Sequence, residues 1–163
     1  MTQQQEAQSV VTDEMRAAIG KESSPMTCEV DKTMCRLFAR AVGHTDSIFY
    51  DEAVAKQRGY RSIVAPPGFL GTPIWKPRAP SVDAEMAGWR FNVPYKRVLN
   101  GGTEYEYFDD VCAGDVLQAR TKITGFNERT GSMGPMLITT RETTYTNQAG
   151  KVVAKMYGTV IQY

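Results

Sequence analysis

The sequence predicts an α+β fold in which an antiparallel sheet wraps around a central hydrophobic helix. Three observations lead there. Helical spacing of apolar residues is confined to the first half of the chain. From Arg90 onward the apolar residues recur with a period of two. Between these halves lies Ile63–Trp75, a stretch apolar nearly all round. Runs of helices followed by runs of strands favour α+β over alternating βαβ units.

Taken in order, residues 1–10 are polar and read as a flexible N-terminus ahead of one domain spanning 11–163. Val11, Met15, Ala18 and Ile19 share one face of a short helix stopped by Gly20. Met26–Val30 is a short strand. Asp31 caps a second helix, with Met34, Cys35, Phe38, Ala41 and Val42 at helical spacing and Gly43 at its end. Asp51 caps a third, closed by Gly59. Pro66 and Pro67 then suit the first turn of a helix, where their missing N–H groups cost nothing. That is the expected buried helix, shortened or kinked by Pro73. Residues 76–89 carry two prolines, Pro77 and Pro80, and read as a long surface loop.

The strands follow. Tyr105 and Tyr107 alternate with Glu104 and Glu106, which are expected on the solvated face. Leu117, Ala119, Thr121 and Ile123 mark one face of Val116–Phe126. Met136–Thr146 and Lys151–Tyr163 complete the set, joined by a turn at Asn147–Gly150, with a longer connection at Asn127–Gly134. Asn100-Gly101-Gly102 sits in no dinucleotide fingerprint and reads as a strand bulge or a close backbone approach. A sheet wrapped around one apolar helix is the hot-dog arrangement.

Composition narrows the function classes. A formal charge of +1, from 19 basic and 18 acidic residues, gives no global pull toward nucleic acid or membrane. No secretory signal is visible and no stretch approaches the roughly 20 apolar residues of a membrane span, so a cytoplasmic protein is expected. Cys28, Cys35 and Cys112 are widely spread and read as reduced, mostly buried thiols. One histidine, His44, and scattered cysteines do not make a metal site, and no cofactor is expected.

Three segments together resemble the MaoC-like dehydratase family, in its N-terminal-type, fatty-acid-synthase-like branch. They are Phe38–Gly43 running into Phe49–Glu52 and Gly59-Tyr60, then Ile63–Leu70, then Leu99–Phe108 followed by Ala113-Gly114-Asp115. The resemblance covers about 11–163. It implies (R)-specific enoyl-thioester hydration or 3-hydroxyacyl dehydration by an Asp and a His in the pattern Asp-x-Asn-Pro-x-His. Hydrating a conjugated double bond needs a base for the water and an acid for the alpha carbon. The enolate oxygen is stabilised by backbone N–H groups at the start of the central helix.

Laid on this chain, the Asp position holds His44, the Asn position Asp46 and the His position Phe49. Phenylalanine exchanges no proton, so the usual dyad is not expected here, and His44 with Asp46 is the weak catalytic candidate that remains. Against that role, His44 also reads as an ordinary loop histidine at a helix end. The resemblance makes Phe49, Tyr50, Pro67, Gly68 and Phe69 the candidate substrate-binding residues. Gly68, the first free N–H after Pro67, is the candidate donor to a thioester carbonyl. Lys76, Arg78, Lys96 and Arg97 are either phosphate contacts for a coenzyme A or carrier-protein arm, or scattered surface charges.

Two functions remain open at this level. In one, the chain is the acyl-thioester-binding subunit of a heteromeric enoyl-CoA hydratase, paired with a dyad-bearing hot-dog chain. In the other, it is a stand-alone homodimeric hydratase, thioesterase or acyl-CoA binder using His44 and Asp46.

Overall fold

The computed structural model describes residues 9–74, 91–132 and 134–163. Six strands form one antiparallel sheet: β1 (Met26–Glu29), β2 (Thr72–Pro73), β3 (Val98–Tyr107), β4 (Val116–Gly131), β5 (Gly134–Thr146) and β6 (Val152–Gln162), in the order β2-β1-β4-β5-β6-β3. Three short helices, α1 (Asp13–Ala18), α2 (Lys32–Val42) and α3 (Glu52–Gln57), precede its long strands. This is the hot-dog class that the sequence led to.

Local chemistry sets most element ends where expected. Thr12 and Met15 close a capping box on α1. Asp31 accepts the Met34 N–H at the start of α2, and Gly43 ends it in the left-handed region. Asp51 accepts the N–H groups of Ala53 and Val54 to start α3. Of the polar N-terminal segment, Ser9 and Val10 are tied to the Glu128 carboxylate on β4.

The strand faces divide as the period of two requires. Leu117, Ala119 and Ile123 are buried on one face of β4, and Thr121 bonds Thr143 of β5 beside them at 2.8 Å. Lys122, Glu142 and Lys155 form an ion-pair cluster on the opposite face. The double glycine is a bulge: the β3–β6 register shifts between Asn100 and Gly102, and a Cβ at Gly101 would lie 2.9 Å from Thr159 Cγ2. One boundary differs from expectation. Asn127–Gly131 is strand, not connection, because β4 and β5 stay paired out to Gly131–Gly134.

The larger correction concerns Ile63–Trp75. Between Ile63 and Ile74 there is no helix; Trp75 lies outside the described residues. Pro66 and Pro67 bias the residues before them toward extended backbone, and Gly68 and Gly71 have φ of 91° and 88°, incompatible with a right-handed helix. The segment runs instead as a buried strap whose polar groups find partners outside it. Val64 N–H donates to Ile48 O at 3.1 Å, Ala65 N–H to Val111 O at 2.8 Å, and Ala113 N–H to Ile63 O at 2.8 Å. Ile63, Ala65, Phe69 and Leu70 join the core with Leu117, Ala119, Tyr145 and Ala154. A short all-apolar run is buried in either conformation, so burial alone did not distinguish them. Among the described helices, α2 contributes to this core through Cys35 and Phe38.

Candidate functional site

The site is built on the loop after α2. Asp46 caps a 3₁₀ turn at Ser47–Phe49 by accepting the Ile48 N–H. Tyr50 closes the loop by donating its hydroxyl to His44 O at 2.6 Å, and Arg36 Nε holds Tyr50 O at 2.9 Å. With Val64 bonded to Ile48, the turn and the strap are fixed against each other.

Between them lies a pocket of about 240 Å³. The turn contributes Ile48 and Phe49, and the strap contributes Val64, Ala65 and Pro67, with Tyr60 just before it. The end of β3 and the corner after it add Tyr107, Asp109, Asp110 and Val111. The walls are mostly apolar, with few polar groups, as small-molecule sites usually are. Its volume is below the roughly 300–1,000 Å³ of a drug-sized ligand pocket.

Of the residues singled out in the sequence, Phe49 and Pro67 line this pocket. Tyr50 braces the loop behind them. Phe69 is turned into the core, 7% exposed, with its ring 5.5 Å from that of Phe38. At Gly68 no helix starts, and its N–H is already engaged: it donates to the Tyr107 hydroxyl at 2.7 Å.

His44 does not line the pocket. Its ring packs behind Phe49, 5.2 Å between centroids, and its side chain makes no hydrogen bond to a described residue. Asp46 is not oriented toward it. Both carboxylate oxygens of Asp46 take Arg58 Nη1 at 2.9 Å. The Ile48 N–H first and Arg58 next hold this carboxyl below its ordinary pKa, so it stays a charged surface anchor.

Three further groups were not legible as site residues. Tyr107 is indistinguishable in sequence from any aromatic on a strand's inner face. Asp109 is drawn to Lys151 at 2.8 Å, which lowers its pKa. Asp115, 1% exposed, anchors the corner that carries Val111. The sequence signal for that corner was the Ala113-Gly114-Asp115 segment of the resemblance, which carried no site role. Two carboxylates beside the pocket make it a poor place for phosphates. Arg97 is held at the far end of β3, its guanidinium 6.0 Å from the Tyr163 ring centre. Lys76 and Arg78 lie outside the described residues.

The three thiols are buried and unpaired, and burial raises the pKa of each, that of Cys35 to about 12. No described helix is long and apolar enough to cross a membrane.

Comparison with known proteins agrees with this architecture. Residues 17–156 match the family described as FAS1-like, dehydratase domain region. A UPF0336 protein of Streptomyces avermitilis is 31% identical over 104 residues, covering 64% of this chain and 67% of its own. A "Probable enoyl-CoA hydratase alpha subunit" of Thermomonospora curvata is 25% identical over 135 residues, 77% of this chain but 42% of that protein. Among solved structures, a chain of the HadBC (3R-hydroxyacyl-ACP dehydratase) complex of Mycobacterium tuberculosis superposes with a TM-score of 0.67 at 26% identity, covering 88% of this chain and 96% of that one. The ChsH1-ChsH2 complex of the same organism shares the fold at a TM-score of 0.72 and 18% identity, covering 87% of this chain and 88% of that one.

Proposed function

We propose a function from one established premise: the chain belongs to the family of FAS1-like dehydratase domain regions. It acts as the acyl-thioester-binding subunit of an (R)-specific enoyl-CoA hydratase or 3-hydroxyacyl dehydratase, and a second hot-dog chain supplies the Asp–His dyad. The observation that carries this reading is Phe49. The position where the resemblance puts a proton-handling histidine is an aromatic wall of the pocket.

The chemistry follows from that wall. An apolar pocket excludes water from an acyl chain but moves no protons. Phe49, Pro67 and the Gly68 turn shape the acyl cavity, with Tyr50 and Phe69 holding turn and strap in place. The water and the alpha-carbon proton are handled by the partner's groups. Pairing has a physical basis in β3, an edge strand that exposes Val98 (64%) and Leu99 (37%). A long exposed edge invites a second sheet. The heteromeric HadBC and ChsH1-ChsH2 neighbours support the same assignment.

The stand-alone reading requires His44 and Asp46 to cooperate. Asp46 would have to release Arg58 and turn, and His44 would have to pass Phe49 to reach the pocket. Co-expression with dyad-bearing hot-dog chains tests the assignment. A stable complex that binds an enoyl-CoA or acyl-carrier thioester supports it. Failure of the chain to bind any acyl thioester, alone or paired, overturns it.

A further inference from the structure

We propose that the Tyr107 hydroxyl is the group that contacts the thioester carbonyl, relaying to it the polarity of the Gly68 N–H. This inference rests on the acyl-thioester reading above and names the contact within that same pocket.

At the turn Pro66-Pro67-Gly68 the two prolines bring no N–H, so Gly68 provides the first backbone donor. That donor is not directed at open space. It meets Tyr107 Oη at 2.7 Å. A phenol oxygen that accepts one hydrogen bond still has its own proton to donate. No described residue accepts that proton, and Tyr107 lines the pocket with Phe49, Val64 and Ala65. A carbonyl entering beside those walls is the acceptor this arrangement lacks.

The tyrosine is held for this task. Tyr105 and Tyr107 lie on the inner face of β3 with rings stacked, centroids 6.2 Å apart and planes at 23°. Tyr105 in turn packs on the core. Gly68 has a φ of 91°, which favours glycine, and it lies beside Phe38, whose Cζ would be 3.4 Å from a Cβ at this position. Tyr107 is 41% exposed, so its hydroxyl stands at the pocket mouth within reach of an incoming group. Partial burial raises the phenol pKa, while the Gly68 bond acts in the opposite direction and makes the O–H a better donor. Chained bonds of this kind polarise one another, so Gly68 N–H to Tyr107 O–H to carbonyl replaces a helix-start donor in a protein whose strap forms no helix.

The relay makes the thioester oxygen, not the alkyl chain, the group that senses Tyr107. The test compares hexanoyl-CoA with hexyl-CoA, the thioether lacking the carbonyl, on the full chain and on a co-expressed pair. Wild-type protein should prefer the thioester. Tyr107→Phe should weaken thioester binding about three- to tenfold, as expected for one lost hydrogen bond, and leave the thioether unchanged. Infrared spectra with a ¹³C-labelled carbonyl give a second readout: the stretch should fall on binding to wild-type protein and not to Tyr107→Phe. Tyr157→Phe, which removes a hydroxyl bonded to Glu106 on the other face of β3, should behave as wild type.

Equal loss of both ligands in Tyr107→Phe, no loss of either, or no thioester preference in wild-type protein overturns the relay and leaves the acyl-binding reading standing. If wild-type protein binds neither ligand, alone or paired, the acyl-binding reading falls and the relay with it.

Discussion

Arg61 and Asp115 face each other through two 2.8 Å hydrogen bonds, with the carboxylate 1% exposed and the guanidinium side chain 59% exposed. Asp115 also accepts the Cys112 N–H at 2.8 Å and the Gln148 amide at 3.2 Å. One carboxylate therefore ties the strap, the corner at Val111–Ala113 and the β5–β6 turn together. The same corner forms the Val64–Cys112 bridge, so the pocket wall at Val111 depends on it.

Asp115→Ala should cost about 2–4 kcal/mol in denaturant unfolding at pH 7. It strands the Cys112 N–H and the Gln148 amide and removes the buried carboxylate that Arg61 pairs with, while the exposure of Arg61 limits the loss. The pH dependence has a defined sign. Burial disfavours the Asp115 charge, but Arg61, the Cys112 N–H and Gln148 outweigh it and hold the folded pKa below the ordinary value. Its stabilisation is present above the unfolded pKa of about 3.9 and is lost as pH falls through the lower folded value. Wild-type stability should fall over that acid window, and the Asp115→Ala variant should show a shallower decline there.

Gly71→Ala should destabilise by about 1–3 kcal/mol, read as a shift in the urea midpoint. Its φ is 88°, and an added Cβ would lie 3.0 Å from Glu29 O, a backbone atom of β1 that cannot swing away. β1 pairs there with β2, so the variant should also loosen the β1–β2 edge in hydrogen exchange.

The thiols should be inert while the protein is folded. Cys28, Cys35 and Cys112 are at most 2% exposed, and burial holds each pKa up. Native protein should give no fast reaction with a disulfide reagent at pH 8, and unfolded protein should give three thiols. One fast native thiol would contradict the burial.

Asp46→Ala should leave acyl-CoA affinity within about twofold of wild type and should barely shift the urea midpoint, since the ion pair with Arg58 is exposed on both sides. A large loss of binding without loss of fold would return Asp46 to the site.

Much of the fold was legible because it depends on near neighbours. The caps at Asp31 and Asp51, the stop at Gly43, the alternating faces of β4 and the bulge at Gly101 all follow from spacing within a few residues. The strap was not legible. Its helical look came from an apolar run and two prolines, and the decision lay in Gly68 and Gly71 adopting positive φ and in partners at Ile48 and Val111. Within the site, Phe49 and Pro67 were legible from the resemblance and do line the pocket. Tyr107 and Asp115 were not, because their partners, Gly68 and Arg61, lie 39 and 54 residues away.

In the proposed function this chain shapes the acyl site and its partner moves the protons. Hydration of crotonyl-CoA and longer enoyl-CoAs, by the purified chain alone and then with a co-expressed dyad-bearing hot-dog partner, tests it most directly. The expected result is no turnover by the chain alone, turnover in the complex, and little effect of His44→Ala on that turnover. Full activity of the chain alone, abolished by His44→Ala, would contradict it.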